Sequence, residues 1–245
     1  MLGRHLWRSL LLIVIFSMAL GGCAYGLGTG SVIKGSGTLK TETLPAKGFN
    51  AVLLSGVGQL MIQQTGTESL TISAEDNLLP LIDASVQGTT LIIRTQSGTT
   101  LQPTQPIQYV LTVKDLNSIG LSGAGGVTIT QFKTTALAVT LKGVGNATLS
   151  GLTISDLSVA MSGSGSMVLG GQTQSQAVTC SGVGSYNAAN LASHTATVQL
   201  SGVGNATVRV SDSLDVTISG VGSLTYLGNP TVTKHITGVG KVHQG

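Results

Sequence analysis

This sequence predicts an all-β fold, a β-solenoid with coils of about 18–20 residues, and three observations carry that expectation. The phrase S-G-V-G and close variants begin at Ser55, Ser122, Lys142, Ser162, Ser181, Ser201, Ser219 and Thr237, with steps of 20, 20, 19, 20, 18 and 18 residues from Ser122 onward. The residues flanking each phrase alternate apolar and polar, the period of a strand with one buried face. The composition has 35 glycines in 245 residues, 3% aromatic and 9% charged residues. A core must therefore come from many small aliphatic side chains, which suits short strands better than large helices. A repeat of this length with no helical pattern inside it is one coil, which buries its apolar face only by stacking on the next.

From the N-terminus, Arg4 and Arg8 precede the apolar run Leu10 to Leu20, and small residues follow, so residues 1–22 are expected to be an export signal. The run is about half of the roughly 20 residues that would cross a bilayer. Leu20-Gly21-Gly22-Cys23 resembles the lipobox of bacterial lipoproteins, which makes Cys23 the expected lipidation site and mature N-terminus. Ala24 after it resembles the outer-membrane sorting pattern. Several acyl chains would hold the chain to a membrane firmly, where one alone binds marginally. Residues 23–38, rich in Gly, Ser and Thr, are expected to form a flexible tether. A single solenoid domain is expected over 39–245, with irregular first coils over 39–118, one helical turn near Ala74 to Pro80, and regular coils over 119–245.

Four columns define the expected interior. One place before the phrase stand Leu54, Leu121, Leu141, Met161, Cys180, Leu200, Ile218 and Ile236; three places before, Val52, Ile119, Val139, Val159, Val178, Val198 and Val216, with Lys234 breaking the row. After the phrase, Leu60, Val127, Ala147, Met167, Tyr186, Ala206, Leu224 and Val242 form a third column, and Ile62, Ile129, Leu149, Leu169, Ala188, Val208 and Tyr226 a fourth, which ends on the polar Gln244. Between columns the chain must turn a corner, and the paired glycines permit backbone angles that a side chain forbids. The central Val57, Val144, Val183, Val203, Val221 and Val239 are expected to point inward and fill that corner.

Chemistry is sparse. Without Arg4 and Arg8, 10 basic residues face 9 acidic ones, so no nucleic-acid partner is implied. Cys180 is the only cysteine besides Cys23, so no internal disulfide is available, and its inward column predicts a protonated core thiol. Asp156 and Asp212 are expected to cap turns opposite the glycine corners, and the remaining acids do not converge as a hydrolytic pair would. His235 and His243 could meet across the last corner but lack a third ligand, so neither a metal nor a cofactor is expected. Trp7 leaves with the signal, and Tyr25 and Tyr109 remain as poor platforms for sugar stacking. One outward column, Asn146, Ser166, Ser185, Asn205 and Ser223, offers hydroxyl and amide groups in a row and is the candidate binding ladder.

Four segments carry a resemblance to a known family: Phe49-Asn50-Ala51-Val52, Ser73-Ala74-Glu75-Asp76-Asn77-Leu78-Leu79, Gly88-Thr89-Thr90-Leu91-Ile92-Ile93 and Ile119-Gly120-Leu121-Ser122-Gly123-Ala124-Gly125. In these the mature chain resembles the putative auto-transporter adhesin, head GIN domain family, found on bacterial lipoproteins. That resemblance implies a right-handed parallel β-helix and brings no catalytic residues to carry over. The expected function is a lipid-anchored interaction module of the cell envelope, non-catalytic, with glycans or other envelope components as partners and self-association into a homo-oligomer. An envelope polysaccharide hydrolase or lyase is the alternative, motivated by fold analogy alone.

Overall fold

The computed structural model describes residues 30–245. The export signal, Cys23 and residues 23–29 of the expected tether lie outside that range. Strands dominate and stack as parallel coils, about six turns in all. One 17-stranded sheet contains both the irregular and the regular stretches.

The regular coils are long strands, Val144–Met161, Ser164–Cys180, Val183–Leu200 and Val203–Ile218, each paired in parallel with the next. The expected interior columns are in register: Leu121 pairs with Leu141, Leu141 with Met161, Met161 with Cys180, Cys180 with Leu200 and Leu200 with Ile218. Almost every member is buried. Cys180 is half-buried, and the terminal Ile236 is exposed. Each fully buried Val, Leu or Ile contributes roughly 1.5–3 kcal/mol of transfer free energy, so a coil holding four such positions gains most of its stability from this ladder.

The corner valines point outward, contrary to expectation: Val144 is 64% and Val183 58% exposed, and Val203, Val221 and Val239 behave alike. Strand alternation explains it. Period two runs through the corner without a break, so from inward Leu141 the next inward places fall on Gly143, Gly145 and Ala147, and Val144 falls between them. The glycines serve close approach as much as turning. At Gly143 an added Cβ would lie 1.9 Å from the carbonyl oxygen of Gly123 one coil below, and at Gly145 1.8 Å from that of Gly125. Gly125 also has a positive φ of 156°. The bend itself is visible in the hydrogen bonds, since the Leu121 carbonyl accepts from both Lys142 N–H and Gly143 N–H, at 2.8 and 3.2 Å.

The irregular stretch joins the stack and then closes one end of it. Val52 pairs with Ile119, Leu54 with Leu121, Leu60 with Val127 and Ile62 with Ile129, so the first S-G-V-G coil lies directly against the regular ones. Beyond it one more layer pairs in parallel, Val52 with Leu91 and Leu60 with Tyr109, and the order then turns antiparallel: Ser69–Glu75 runs antiparallel to Gln108–Val113, Leu39–Leu44 antiparallel to Ser69–Glu75, and Ile82–Gln87 antiparallel to Thr90–Thr95. The antiparallel strands cap this first irregular layer, as a solenoid end must cover its open edge. The helical turn is a 3-10 helix at Leu79–Leu81.

Part of the expected tether is structured. Ser31–Lys34 forms a strand parallel to Thr99–Gln102. The Glu75 carboxylate, inaccessible to solvent, accepts from Gly37 N–H at 2.7 Å, Thr104 N–H at 2.9 Å and the Thr104 hydroxyl at 2.5 Å. Asp76 accepts from the Ser36 hydroxyl, Asn77 Oδ1 accepts from Ser36 N–H, and Asn77 Nδ2 donates to the Lys34 carbonyl. The segment Ala74-Glu75-Asp76-Asn77 is thus a clamp on the incoming chain. The Thr104 hydroxyl, helped by the surrounding N–H donors, holds the Glu75 carboxyl below its ordinary range despite desolvation.

Candidate functional site

The expected ladder stands in one row on the outside: Asn146 pairs with Ser166, Ser166 with Ser185 and Ser185 with Asn205. Part of its hydrogen-bonding capacity is spent inside the fold. Asn146 Oδ1 accepts from Ser166 N–H and Oγ–H at 3.1 and 2.8 Å, and Asn205 Oδ1 accepts from Ser223 N–H at 3.0 Å. The two asparagines therefore staple successive coils, Asn146 presenting its amide NH₂ outward and Asn205 its NH₂ and one remaining acceptor site of Oδ1.

A second surface was not visible in the sequence. On the far side from the glycine corner a groove of about 950 Å³ runs along the rod. It crosses five coils at one register level, where Lys133 pairs with Thr153, Thr153 with Gln172, Gln172 with Ala192 and Ala192 with Arg209. Its floor is the adjacent level, where Ile154, Thr173, Ser193 and Val210 are all buried. Two polar residues therefore sit where the columns near the corner would hold aliphatics. Thr173 Oγ1 donates to main-chain carbonyls, and Ser193 Oγ donates to the Arg209 carbonyl at 2.7 Å while accepting from Gln176 Nε2 at 2.7 Å. Gln176 Oε1 accepts from the Tyr186 hydroxyl at 3.0 Å, so this buried set is satisfied throughout. Following only the columns beside S-G-V-G misses it; Thr173, Gln176 and Ser193 interrupting the apolar alternation of the opposite segment were the available signal.

Asp156 and Asp212 do not cap turns. Both lie inside long strands that keep pairing through the bend, and a carboxylate there bonds sideways to a neighbour. Asp156 Oδ1 accepts from Ser175 Oγ on the next coil at 2.7 Å. Asp212 falls at an irregularity where the register between Ser193/Thr195 and Val210/Ser213 slips by one residue. There Ser211, His194 and Asp212 meet, but not as a hydrolytic triad. Ser211 Oγ and Asp212 Oδ2 both lie 3.3 Å from the same ring nitrogen, His194 Nδ1, and Ser211 Oγ donates to Asp212 Oδ1 at 2.5 Å. A triad needs the serine on the opposite nitrogen from the carboxylate. The Ser211 hydroxyl, with His194 beside it, lowers the Asp212 pKa.

Burial pushes the Cys180 thiol up to about 11, and its sulfur lies 4.0 Å from Met161 Sδ, the environment of a core thiol. Tyr109 is buried in the cap, its hydroxyl donating to the Val57 carbonyl at 3.2 Å, so it is core and not a surface platform. His243 Nε2 bonds Thr225 Oγ1 at 3.0 Å, and among the described residues no group of three metal-ligating side chains comes together.

The comparisons with known proteins fit this architecture. Residues 48–230 match the family described as putative auto-transporter adhesin, head GIN domain. The chain belongs to that family. Among solved structures, it is similar to a putative adhesin from Bacteroides fragilis NCTC 9343, at 31% identity over 87% of this chain and 100% of that one, with a TM-score of 0.84. A putative lipid binding protein from Parabacteroides distasonis ATCC 8503 shares the fold at 20% identity over 88% and 100% of the two chains, TM-score 0.73. So does a putative adhesin from Parabacteroides merdae ATCC 43184, at 22% identity over 87% and 99%, TM-score 0.65. Among curated proteins none matches the chain. The matched range holds Glu75, Asp76 and Asn77 of the clamp, the glycine corners up to Gly222 and the whole groove lining.

Proposed function

We propose that this adhesin-family chain is a non-catalytic interaction module of the bacterial cell envelope, anchored in the outer membrane through lipid on Cys23, which displays its exterior to glycans or other envelope components. The observation that carries this reading is the exterior itself: a rod of low charge with a row of hydroxyl and amide groups from Asn146 to Asn205 beside a row of exposed valines at the corner. Where Ser211, His194 and Asp212 meet, the serine and the carboxylate share one ring nitrogen, so no nucleophile–base pair is poised there. Self-association belongs to the same proposal, because Thr231–Ile236 and Val239–Gln244 pair on one side only, with Ile236 and Val239 exposed.

Two measurements test the reading. A clickable fatty acid fed to cells should label the wild-type chain and not Cys23→Ser, and protease added to intact cells should degrade the chain if it is displayed outward. Equal labelling of both chains would remove the anchor. Release of reducing or unsaturated sugar ends from envelope polysaccharide by the purified chain would replace the binding role with an enzymatic one.

A further inference from the structure

We propose that the lengthwise groove, and not the Asn/Ser ladder, is the ligand site, and that it takes an extended acidic glycan with its repeating units against successive coils. This rests on the reading of the chain as a glycan-facing module. Four steps between five coils give a track of about 19 Å at the usual strand spacing, and the volume of about 950 Å³ is that of a ligand cleft. The track is chemically graded. At its middle the exposed side chains of Thr153, Gln172 and Gln174 make no hydrogen bond among the described residues, while the buried Thr173 and Ser193 beneath them are fully satisfied and hold the floor rigid. Toward its two ends stand Lys133, with Asp115 beyond it, and Arg209, with Gly228 and Asn229 beyond it; both cations are exposed and neither is within ion-pair distance of a carboxylate among the described residues.

Arg209 is already positioned. Its Nε donates to the Ala189 carbonyl at 2.7 Å, which fixes the guanidinium plane and leaves the terminal nitrogens for a ligand. Asp115 is the one carboxylate in the lining, and its Oδ1 is engaged by Leu116 N–H at 2.8 Å. An extended peptide fits less well, because strand addition needs unpaired backbone edges and the groove floor is made of strands paired on both sides. A hydroxyl-rich chain needs only the rows of side-chain donors and acceptors present. No Phe, Tyr or Trp lines the groove, so affinity comes from hydrogen bonds and charge and falls as salt rises.

The test uses the full chain in detergent with oligogalacturonate, its methyl ester and a set of unrelated extended peptides as probes. The wild type should bind oligogalacturonate in preference to the ester. Lys133→Gln and Arg209→Gln should each weaken that binding about tenfold, the scale of one charge-assisted contact, and the double variant should lose the preference. Ser185→Ala on the ladder should bind like the wild type, and all variants should keep the strand spectrum. Equal binding of acid and ester, or groove variants that bind like the wild type, would overturn the groove assignment while leaving a glycan-binding role. Wild-type binding of peptide with no glycan bound would overturn both.

Discussion

A single methyl group added at Gly182 tests the stacking argument more sharply than any truncation of the core. In the structure that Cβ would lie 1.9 Å from the Gly163 carbonyl oxygen, and contacts under 3.0 Å essentially never occur, so the coils must part locally by about 1.1 Å. Two of the bonds across that gap are Gly182 N–H to the Met161 carbonyl at 3.1 Å and Val183 N–H to the Gly163 carbonyl at 3.0 Å. Stretching both beyond bonding range leaves their groups unsatisfied at about 1–3 kcal/mol each, so Gly182→Ala should cost roughly 2–6 kcal/mol. The neighbouring Val183→Ala, on a side chain 58% exposed, should stay within about 0.5 kcal/mol of the wild type. Guanidinium unfolding gives the global value. Hydrogen exchange over residues 175–205 gives the local one, needed because a stacked array can open coil by coil. If Gly182→Ala is as stable as the wild type, or Val183→Ala is the worse of the two, the glycine ladder is not what sets the coil spacing.

Three other outcomes follow from the same geometry. Tyr186→Phe should cost about 1–3 kcal/mol by orphaning buried Gln176 Oε1, whereas Tyr186→Phe with Gln176→Leu should recover most of it, since Leu157 and Leu214 share that column; chemical denaturation checks both. Because the Glu75 pKa is lowered on folding, its clamp is at full strength above the ordinary carboxylate value of 4.5 and is lost as pH falls through the lower folded value. Exchange at Gly37 and Thr104 should therefore accelerate in acid, and Glu75→Gln should bring that acceleration to neutral pH without loosening the coils after 119. Cys180 should react with iodoacetamide only slowly at pH 8 and faster as pH approaches 11, and fast labelling at neutral pH would contradict its core placement.

The solenoid and its interior were determined by the sequence alone, because stacking forces every coil to place the same kind of side chain at the same step. Leu141, Met161, Cys180 and Leu200 can be lined up by counting, and they are neighbours in the sheet. Counting also holds the answer for the corner valines, since Val144 is an odd step away from Leu141; treating the corner as a break in the alternation sent them to the wrong side. What only the tertiary structure decided is everything that depends on how far apart coils lie and how a bend opens. The Glu75 clamp joins residues about 30 to 40 positions apart through side chains with no common period. The groove exists because Lys133, Gln172 and Arg209, unremarkable polar residues in sequence, share one level on the concave side of a bend. Periodicity states which residues stack, but the shape of the surface comes from the path of each coil between its corners, set by bulges and backbone hydrogen bonds that repeat too irregularly to be counted.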